Sequence, residues 1–121
     1  MAAPLLPLLQ QLAAELDALE PHEVLVLLVS RSDCPYCLEV RRNYLAPLLR
    51  SGAPRLRLRE LEADRPQSAP ALARLKVRFF PTVLFLGREG RQLTEPLVGL
   101  DQAGFYGGYL DARLQQALAA A

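Results

Sequence analysis

Cys34 and Cys37 are the only cysteines in the sequence, and with only Pro35 and Tyr36 between them they can open and close a disulfide. The apolar run of residues 24–29 just before them is typical of a buried strand, so the pair falls where a strand leads into a helix. Unpaired N–H groups and the dipole of a helix start favour a thiolate over a thiol. We therefore predict that Cys34 attacks a substrate disulfide and that Cys37 resolves the mixed disulfide from inside.

A zinc site is the competing interpretation of this spacing, because a Cys-X-X-Cys pair is also half of a structural zinc centre. Zinc takes four ligands in such centres. Beyond the two cysteines, only His22 offers an imidazole nitrogen. We therefore expect no metal and no other cofactor.

Composition points to one compact domain over residues 1–121, since 51% of the 121 residues are apolar. The 14 basic and 13 acidic residues are interleaved, so we expect no nucleic-acid partner. No stretch approaches the roughly 20 apolar residues that a membrane span needs. Residues 1–9 are apolar but lack a basic residue ahead of them, which argues against an intact signal peptide and leaves the compartment open.

The elements that must position the cysteines follow from the hydrophobic spacing. Leucines at helical intervals from Leu5 to Leu19 predict an N-terminal helix over residues 1–20, followed by a core fold over 24–119. The core is predicted to contain a strand at 24–30, a helix opened by the cysteines, a strand at 55–61, a helix at 67–76, a strand at 82–86, a hairpin turn at 87–90, a strand at 91–98 and a helix at 101–119.

This order predicts an α/β fold with a mixed four-stranded sheet flanked by about four helices. Pro47 should kink or end the helix that the cysteines open. Arg55, Arg57 and Arg59 alternate with leucines, which is typical of the wet face of an edge strand. In the last helix Asp101 is the expected N-cap, and the expected inward residues are Phe105, Tyr109, Leu110, Leu114 and Leu118.

With these elements in place, the sequence resembles the thioredoxin superfamily from about Leu25 to Leu118. The cysteine motif follows the first central strand, and Phe80-Pro81-Thr82 precedes another strand. A glycine turn then leads to a strand that ends at Val98-Gly99. The resemblance implies a thioredoxin-like fold and a thiol–disulfide oxidoreductase.

The resemblance also implies a substrate site. In that family the proline that matches Pro81 is cis and lies beside the dithiol, and the backbone before it pairs with the substrate chain. Phe80, Pro81 and Thr82 would accordingly bind an extended peptide across Cys34, while Tyr36 would stack near the substrate or shield the thiols. The implied partners are protein disulfide substrates and a redox protein that regenerates the dithiol, and we expect a monomer that acts more as a reductase than as an oxidant.

Two departures from the family pattern affect the chemistry. Asp33 and Leu28 stand where small thioredoxins have a tryptophan and a buried aspartate, so the usual proton acceptor is missing. Glu39, Glu60 and Glu62 are candidates for the base that deprotonates Cys37, although each is expected to be an ordinary exposed acid. The charge of Asp33 beside Cys34 should oppose thiolate formation.

Two other functions remain open. Pro-Tyr between the cysteines is the pattern of glutaredoxins, which implies a glutathione-dependent enzyme that could hold an iron–sulfur cluster; Phe-Phe-Pro and the late position of Gly107-Gly108 depart from that pattern. The other alternative is a non-catalytic binding module with a static disulfide. Residues 105–110 resemble the closing helix of exported bacterial thioredoxin-like proteins, which implies a periplasmic location, with a cytoplasmic one as the alternative.

Overall fold

The computed structural model describes residues 5–100 and 103–121, which form a mixed sheet with helices on both faces. The four strands are β1 (Val24–Ser30), β2 (Leu56–Glu62), β3 (Thr82–Leu86) and β4 (Leu97–Val98). Their order in the sheet is β2-β1-β3-β4. β1 pairs in parallel with β2 and antiparallel with β3, which pairs antiparallel with β4. The predicted mixed four-stranded sheet is confirmed.

Helices cover both faces of the sheet. They are α1 (Leu12–Asp17), α2 (Pro35–Val40), α3 (Ala46–Arg50), α4 (Ala69–Leu75) and α5 (Tyr106–Ala120). We call the side on which α2, α3 and α5 pack the first face, and the side on which α1 and α4 pack the second face. No helix among the described residues is long and apolar enough to cross a membrane.

β1 is the central strand, and all seven of its residues are buried. Alternate side chains point to opposite sides of a strand, so its unbroken apolar run supplies both cores. Val24, Val26 and Leu28 join the first-face cluster, while Leu25, Leu27 and Val29 join the second-face cluster. The predicted strand at 24–30 is confirmed, and its C-terminal end fixes the start of the loop that carries the cysteines.

A π-helical turn, Arg41–Leu45, joins α2 to α3 in one helical segment that continues past Pro47. Proline has no N–H, and its ring clashes with the carbonyl four residues earlier in a regular α-helix. The wider turn lies directly before Ala46 and Pro47, so the helix changes its winding there and then continues to Arg50. Pro47 therefore changes the winding of the helix and does not end it.

The predicted N-terminal helix over 1–20 is largely wrong. Residues 1–4 lie outside the described part of the chain, and the observed helix covers only Leu12–Asp17. Residues 7–9 pair with the outer edge of β2: Glu60 N–H donates to the Pro7 carbonyl (2.9 Å) and Leu9 N–H donates to the Glu60 carbonyl (2.8 Å). An edge strand offers unpaired backbone groups, and this long-range pairing outweighs the helical spacing of the leucines.

The predicted strand over 91–98 is shortened to β4 and one isolated bridge between Leu86 and Gln92. Pro96 has no N–H to donate to a ladder, which accounts for the interruption just before β4. In the turn before it, the positive φ angles belong to Glu89 (69°) and Gly90 (82°). Gly87, by contrast, has a φ of −96°.

The last helix presents a different face from the one expected. A 3₁₀ turn, Ala103–Phe105, precedes α5, and within the helix the buried residues are Tyr106, Leu110, Leu114 and Ala117. Tyr106 is buried, whereas Phe105 is 70% exposed and Tyr109 is 43% exposed. Leu110 and Leu114 are buried as predicted, and Leu118 packs against the same cluster. The expected N-cap Asp101 lies outside the described residues.

Candidate active site

Cys34 and Cys37 form a disulfide at the junction of β1 and α2. β1 ends at Ser30, a three-residue loop follows, and Cys34 occupies the N-cap position of α2. The two Cα atoms are 5.2 Å apart. Pro35 opens the helix where a missing N–H costs no hydrogen bond. The predicted context of the pair, at the point where a buried strand leads into a helix, is confirmed.

The two sulfur atoms differ in access to solvent. Cys37 is fully buried (0% exposed), whereas Cys34 is partly exposed. The backbone N–H of Cys37 donates to Cys34 Sγ at 3.1 Å, so the first turn of the helix already directs a donor at this sulfur. The same donor would stabilise a thiolate on Cys34 in the reduced protein. An accessible sulfur and a buried one are what a nucleophile and a resolving cysteine need.

The Phe80–Pro81 peptide bond is cis, as the resemblance implied. Thr82 begins β3 and pairs with Val29 near the end of β1, so the Pro81 loop lies beside the loop that leads to Cys34. The Arg31 guanidinium in that second loop lies 5.8 Å from the centroid of the Phe80 ring. Thr82 Oγ1 donates to the Phe79 carbonyl at 2.7 Å, which fixes the backbone around the proline.

Exposed apolar side chains flank the disulfide and the proline loop. Tyr36, between the cysteines, is 61% exposed, and Phe79 is 67% exposed. Val98 in β4 pairs with Thr82 and is also exposed. These side chains give the cysteine motif and the loop around Pro81 an exposed apolar surface.

Asp33 does not stand alone beside Cys34. Its carboxylate lies 3.5 Å from Arg31 Nε, and both side chains are largely exposed. A positive charge next to Asp33 offsets the like-charge repulsion that the sequence predicted for a Cys34 thiolate. Ser32 in the same loop donates through its hydroxyl and its backbone N–H to Asp64, and these hydrogen bonds, the hydroxyl one foremost, hold the pKa of Asp64 below its ordinary value.

Glu60 is not the exposed acid that the sequence analysis expected. Only 3% of the residue is exposed, and its carboxylate accepts three hydrogen bonds. Arg41 donates through Nε to Oε1 (2.7 Å) and through Nη2 to Oε2 (2.5 Å), and Ser30 Oγ donates to Oε2 (2.5 Å). The hydrogen bonds to Glu60 raise the pKa of Arg41. The buried Glu60 and the partly buried Arg41 (side chain 21% exposed) therefore form an ion pair on the first face.

The sequence contains a signal for this pair that its interpretation missed. If Arg57 and Arg59 are on one side of β2, then Glu60, two residues after Leu58, must lie on the other side with the core leucines. Arg41 follows Cys37 by four residues, which places it on the same side of the helix. A charged residue at an inward position of a strand requires a buried partner of opposite charge.

The other residues that were weighed for chemistry lie away from the sulfur atoms or have structural contacts. Glu62 pairs with Arg65 at 2.8 Å, and Glu39 is partly exposed. His22 Nδ1 lies 3.1 Å from the Ala121 carbonyl oxygen. Among residues 5–100 and 103–121, no group of three or more histidine, cysteine and acidic residues could hold a metal ion.

Comparison with solved structures identifies the fold. Thioredoxin from Trypanosoma brucei brucei matches with a TM-score of 0.68 and 14% identity over 98% of this chain and 97% of that one. Mitochondrial thioredoxin 3 from Saccharomyces cerevisiae, in its oxidized form, matches with a TM-score of 0.64 and 21% identity over 88% of this chain and 94% of that one. Thioredoxin f2, from a complex with ferredoxin:thioredoxin reductase, matches with a TM-score of 0.64 and 16% identity over 84% of this chain and 87% of that one.

No protein-family model matches the sequence, and no curated protein matches it. The solved structures extend over most of this chain and of their own, and together they show that the chain has the thioredoxin fold.

Proposed function

We propose that the protein is a thiol–disulfide oxidoreductase that acts on protein substrates, with Cys34 as the nucleophile and Cys37 as the resolving cysteine. The observation that carries this proposal is the difference between the two sulfur atoms at the start of α2. Cys34 is partly exposed and accepts a backbone hydrogen bond, while Cys37 is fully buried. The pairing of Thr82 with Val29 supports the same function, because it makes the loop that contains Pro81 a neighbour of the loop that leads to Cys34.

In the reducing direction, the Cys34 thiolate attacks one sulfur of a substrate disulfide, and the other substrate sulfur leaves as a thiolate that takes up a proton. Cys37 then loses its proton and attacks Cys34 Sγ, which releases the first substrate sulfur. The substrate gains two electrons, and the protein is left with the Cys34–Cys37 disulfide that the structure contains. The same steps in reverse oxidise a substrate.

The substrate is an extended polypeptide that lies across Cys34 and pairs with the backbone before Pro81. The neighbouring Thr82 is held by hydrogen bonding and strand pairing, so the loop is a fixed surface for such a chain. Tyr36 and Phe79 are exposed on either side of it, which favours apolar residues next to the substrate cysteine.

We further propose that the protein acts as a monomeric reductase and is returned to the dithiol by another redox protein. The similarity to a thioredoxin that was solved with its reductase supports such a partner. A periplasmic location is also part of the proposal, because the closing segment resembles that of exported thioredoxin-like proteins. Fractionation of cells that produce the protein at native levels, followed by detection in each fraction, tests the location; recovery from the cytoplasm would contradict it.

Reduction of insulin disulfides by dithiothreitol is the assay that tests the activity. The wild-type protein should accelerate the reaction, and Cys34→Ser should lower the rate to that of dithiothreitol alone while its circular dichroism spectrum stays unchanged. Glu95→Gln is the control, because the Glu95 side chain is 86% exposed and is not part of the cysteine or proline loops, so this variant should retain activity. If Cys34→Ser were as active as the wild type, the proposed function would be wrong.

A further inference from the structure

The ion pair of the buried Glu60 with the partly buried Arg41 joins β2 to the helical segment that carries Cys37. Arg41 is one helical turn after Cys37, and its backbone N–H donates to the Cys37 carbonyl. Residues four apart on a helix lie on the same side, about 5–6 Å apart at Cβ. The Cys37 side chain and the Arg41 guanidinium therefore both face the sheet, in the space between α2 and the strands.

Ser30 connects the same pair to the other side of the active site. It is the last residue of β1, is fully buried, and donates its hydroxyl to Glu60 Oε2. The loop that starts after Ser30 ends at Cys34. The carboxylate thus lies between the strand end that leads to one cysteine and the helical turn that follows the other.

The hydrogen bonds of Glu60 distinguish between two roles for this carboxylate. A base for the Cys37 proton needs a free lone pair directed at the sulfur, whereas here both oxygens accept from Arg41 and one also accepts from Ser30. The contacts favour a carboxylate that neutralises the guanidinium over one that collects a proton.

A guanidinium without a counter-ion at this place would stabilise a negative charge on the dithiol, because the Arg41 side chain is only 21% exposed and water screens its charge incompletely. We infer that Glu60 is a positioning residue that neutralises Arg41 and thereby limits thiolate formation at Cys34 and Cys37, which keeps the disulfide the favoured form against glutathione. The inference rests on the proposed dithiol chemistry. It makes Glu60 and Arg41 determinants of the redox equilibrium, with no contact to the substrate.

The other charges around Arg41 act in the same sense or are themselves paired. Glu62 lies two residues after Glu60 on β2 and adds a weaker attraction to Arg41. The Glu62 carboxylate is itself paired with Arg65 at 2.8 Å. The ion pair of Arg31 with Asp33 is exposed above the site. Glu60 is therefore the principal neutralising group that the described contacts provide for Arg41.

Equilibration with glutathione buffers at about pH 8, where a lowered cysteine pKa leaves thiolate populated, tests the inference. Glu60→Gln keeps the shape and releases the charge of Arg41, so we expect the equilibrium to move about five- to tenfold toward the dithiol; tenfold corresponds to about 30 mV for a two-electron couple. Arg41→Gln removes the positive charge and should move the equilibrium at least about twofold toward the disulfide. The double variant Glu60→Gln/Arg41→Gln buries no charge and should return to within about twofold of the wild type.

Glu95→Gln is the matched control, because Glu95 pairs with Arg113 (3.7 Å) on an exposed surface outside the active site. Its equilibrium should equal that of the wild type.

The inference is overturned if Glu60→Gln leaves the equilibrium unchanged, if both single variants move it in the same direction, or if Glu95→Gln moves it as much. It is also overturned if Glu60→Gln only slows release of the mixed disulfide, since that result identifies Glu60 as a proton acceptor. If Glu60→Gln does not fold, the direction of the Arg41→Gln shift decides alone.

This measurement does not depend on catalysis. Oxidised and reduced protein are counted by alkylation and mass spectrometry, so the equilibrium is obtained even if the wild type fails to reduce insulin. A failure of the proposed function and a failure of this inference are therefore seen in different experiments.

Discussion

β2 carries ion pairs on both of its faces, and the two groups differ in burial and in what they connect. On the first face, Glu60 is 3% exposed and pairs with Arg41 on the helical segment that the cysteines open. On the second face, Glu15 in α1 is 13% exposed and pairs with Arg57 and Arg59. The arginines of the two faces are similarly exposed (21% for Arg41, 25% for Arg59), so the difference in burial lies in the carboxylates. A single strand therefore links the active-site helix and the N-terminal segment through alternate residues.

The difference in burial predicts a difference in energy. A partly exposed pair contributes little, because water screens the charges and the long side chains lose freedom. When a carboxylate is buried, removal of its partner lowers the free energy of unfolding strongly, because the remaining charge is buried and unpaired. The charges on the second face are therefore suited to fastening a segment, whereas those on the first face are suited to controlling the electrostatics of the sulfur atoms.

The largest expected effect comes from removing one partner of the buried pair. Among the described residues, Arg41→Ala leaves the Glu60 carboxylate with only the Ser30 hydroxyl, and it should lower the free energy of unfolding by about 3–5 kcal/mol. Urea denaturation followed by circular dichroism measures this value. A loss below about 1 kcal/mol would show that the pair is already well solvated.

The corresponding change on the second face is Arg59→Ala. Arg59 donates to Glu15 at 2.8 Å, and Arg57 lies 3.7 Å from the same carboxylate, so Glu15 keeps one partner in this variant. We expect a loss of about 1 kcal/mol or less in the same denaturation experiment. A loss as large as that of Arg41→Ala would remove the distinction between the two faces.

The smallest expected effect concerns a buried polar group without a partner. Tyr106 is 4% exposed, and its hydroxyl has no hydrogen-bond partner in the described part of the chain. Burial raises the pKa of Tyr106. Tyr106→Phe should be neutral or stabilising by up to about 1 kcal/mol at pH 7, because it removes an unsatisfied hydroxyl and keeps the ring contact with Tyr44.

The same residue gives a prediction for alkaline pH. The unfolded chain releases the tyrosine proton near a pKa of about 10, whereas the folded protein retains it to higher pH. The contribution of Tyr106 to stability is thus fully present below about pH 10 and is lost as the pH rises toward the raised pKa. Tyr106→Phe should unfold less readily than the wild type in thermal scans above about pH 10. Equal alkaline sensitivity of the two proteins would contradict the burial of this hydroxyl.

The sequence was sufficient for those parts of the fold in which one local signal dominates. Val24–Ser30 and Thr82–Leu86 are unbroken apolar runs, and they are strands buried on both faces. The cysteine spacing and Pro35 correctly predicted a helix start with one accessible and one buried sulfur. The cis bond before Pro81 came from the family resemblance, since no local pattern specifies it.

The wrong predictions concern residues whose partners are distant in sequence. Residues 7–9 have helical leucine spacing but pair with Glu60, more than fifty residues away, and no periodicity reports such a partner. The buried pair of Glu60 with Arg41 required the alternation of β2 and the helical position of Arg41 to be considered together. In α5 the buried stripe contains Tyr106, Leu110 and Leu114, whereas Phe105 and Tyr109 lie one residue away on the neighbouring stripe. Aromatic residues occur on both stripes, so hydrophobic spacing alone did not distinguish them.

Capture of a mixed disulfide tests the central claim most directly. Cys37→Ser removes the resolving sulfur, so a substrate disulfide attacked by Cys34 should remain bound, and intact-mass spectrometry of the variant with an oxidised model peptide should show the covalent adduct at Cys34. Cys34→Ser, treated in the same way, should form little or no adduct, because Cys37 is fully buried. Adduct formation at Cys37 in preference to Cys34, or at neither, would contradict the assignment of Cys34 as the nucleophile.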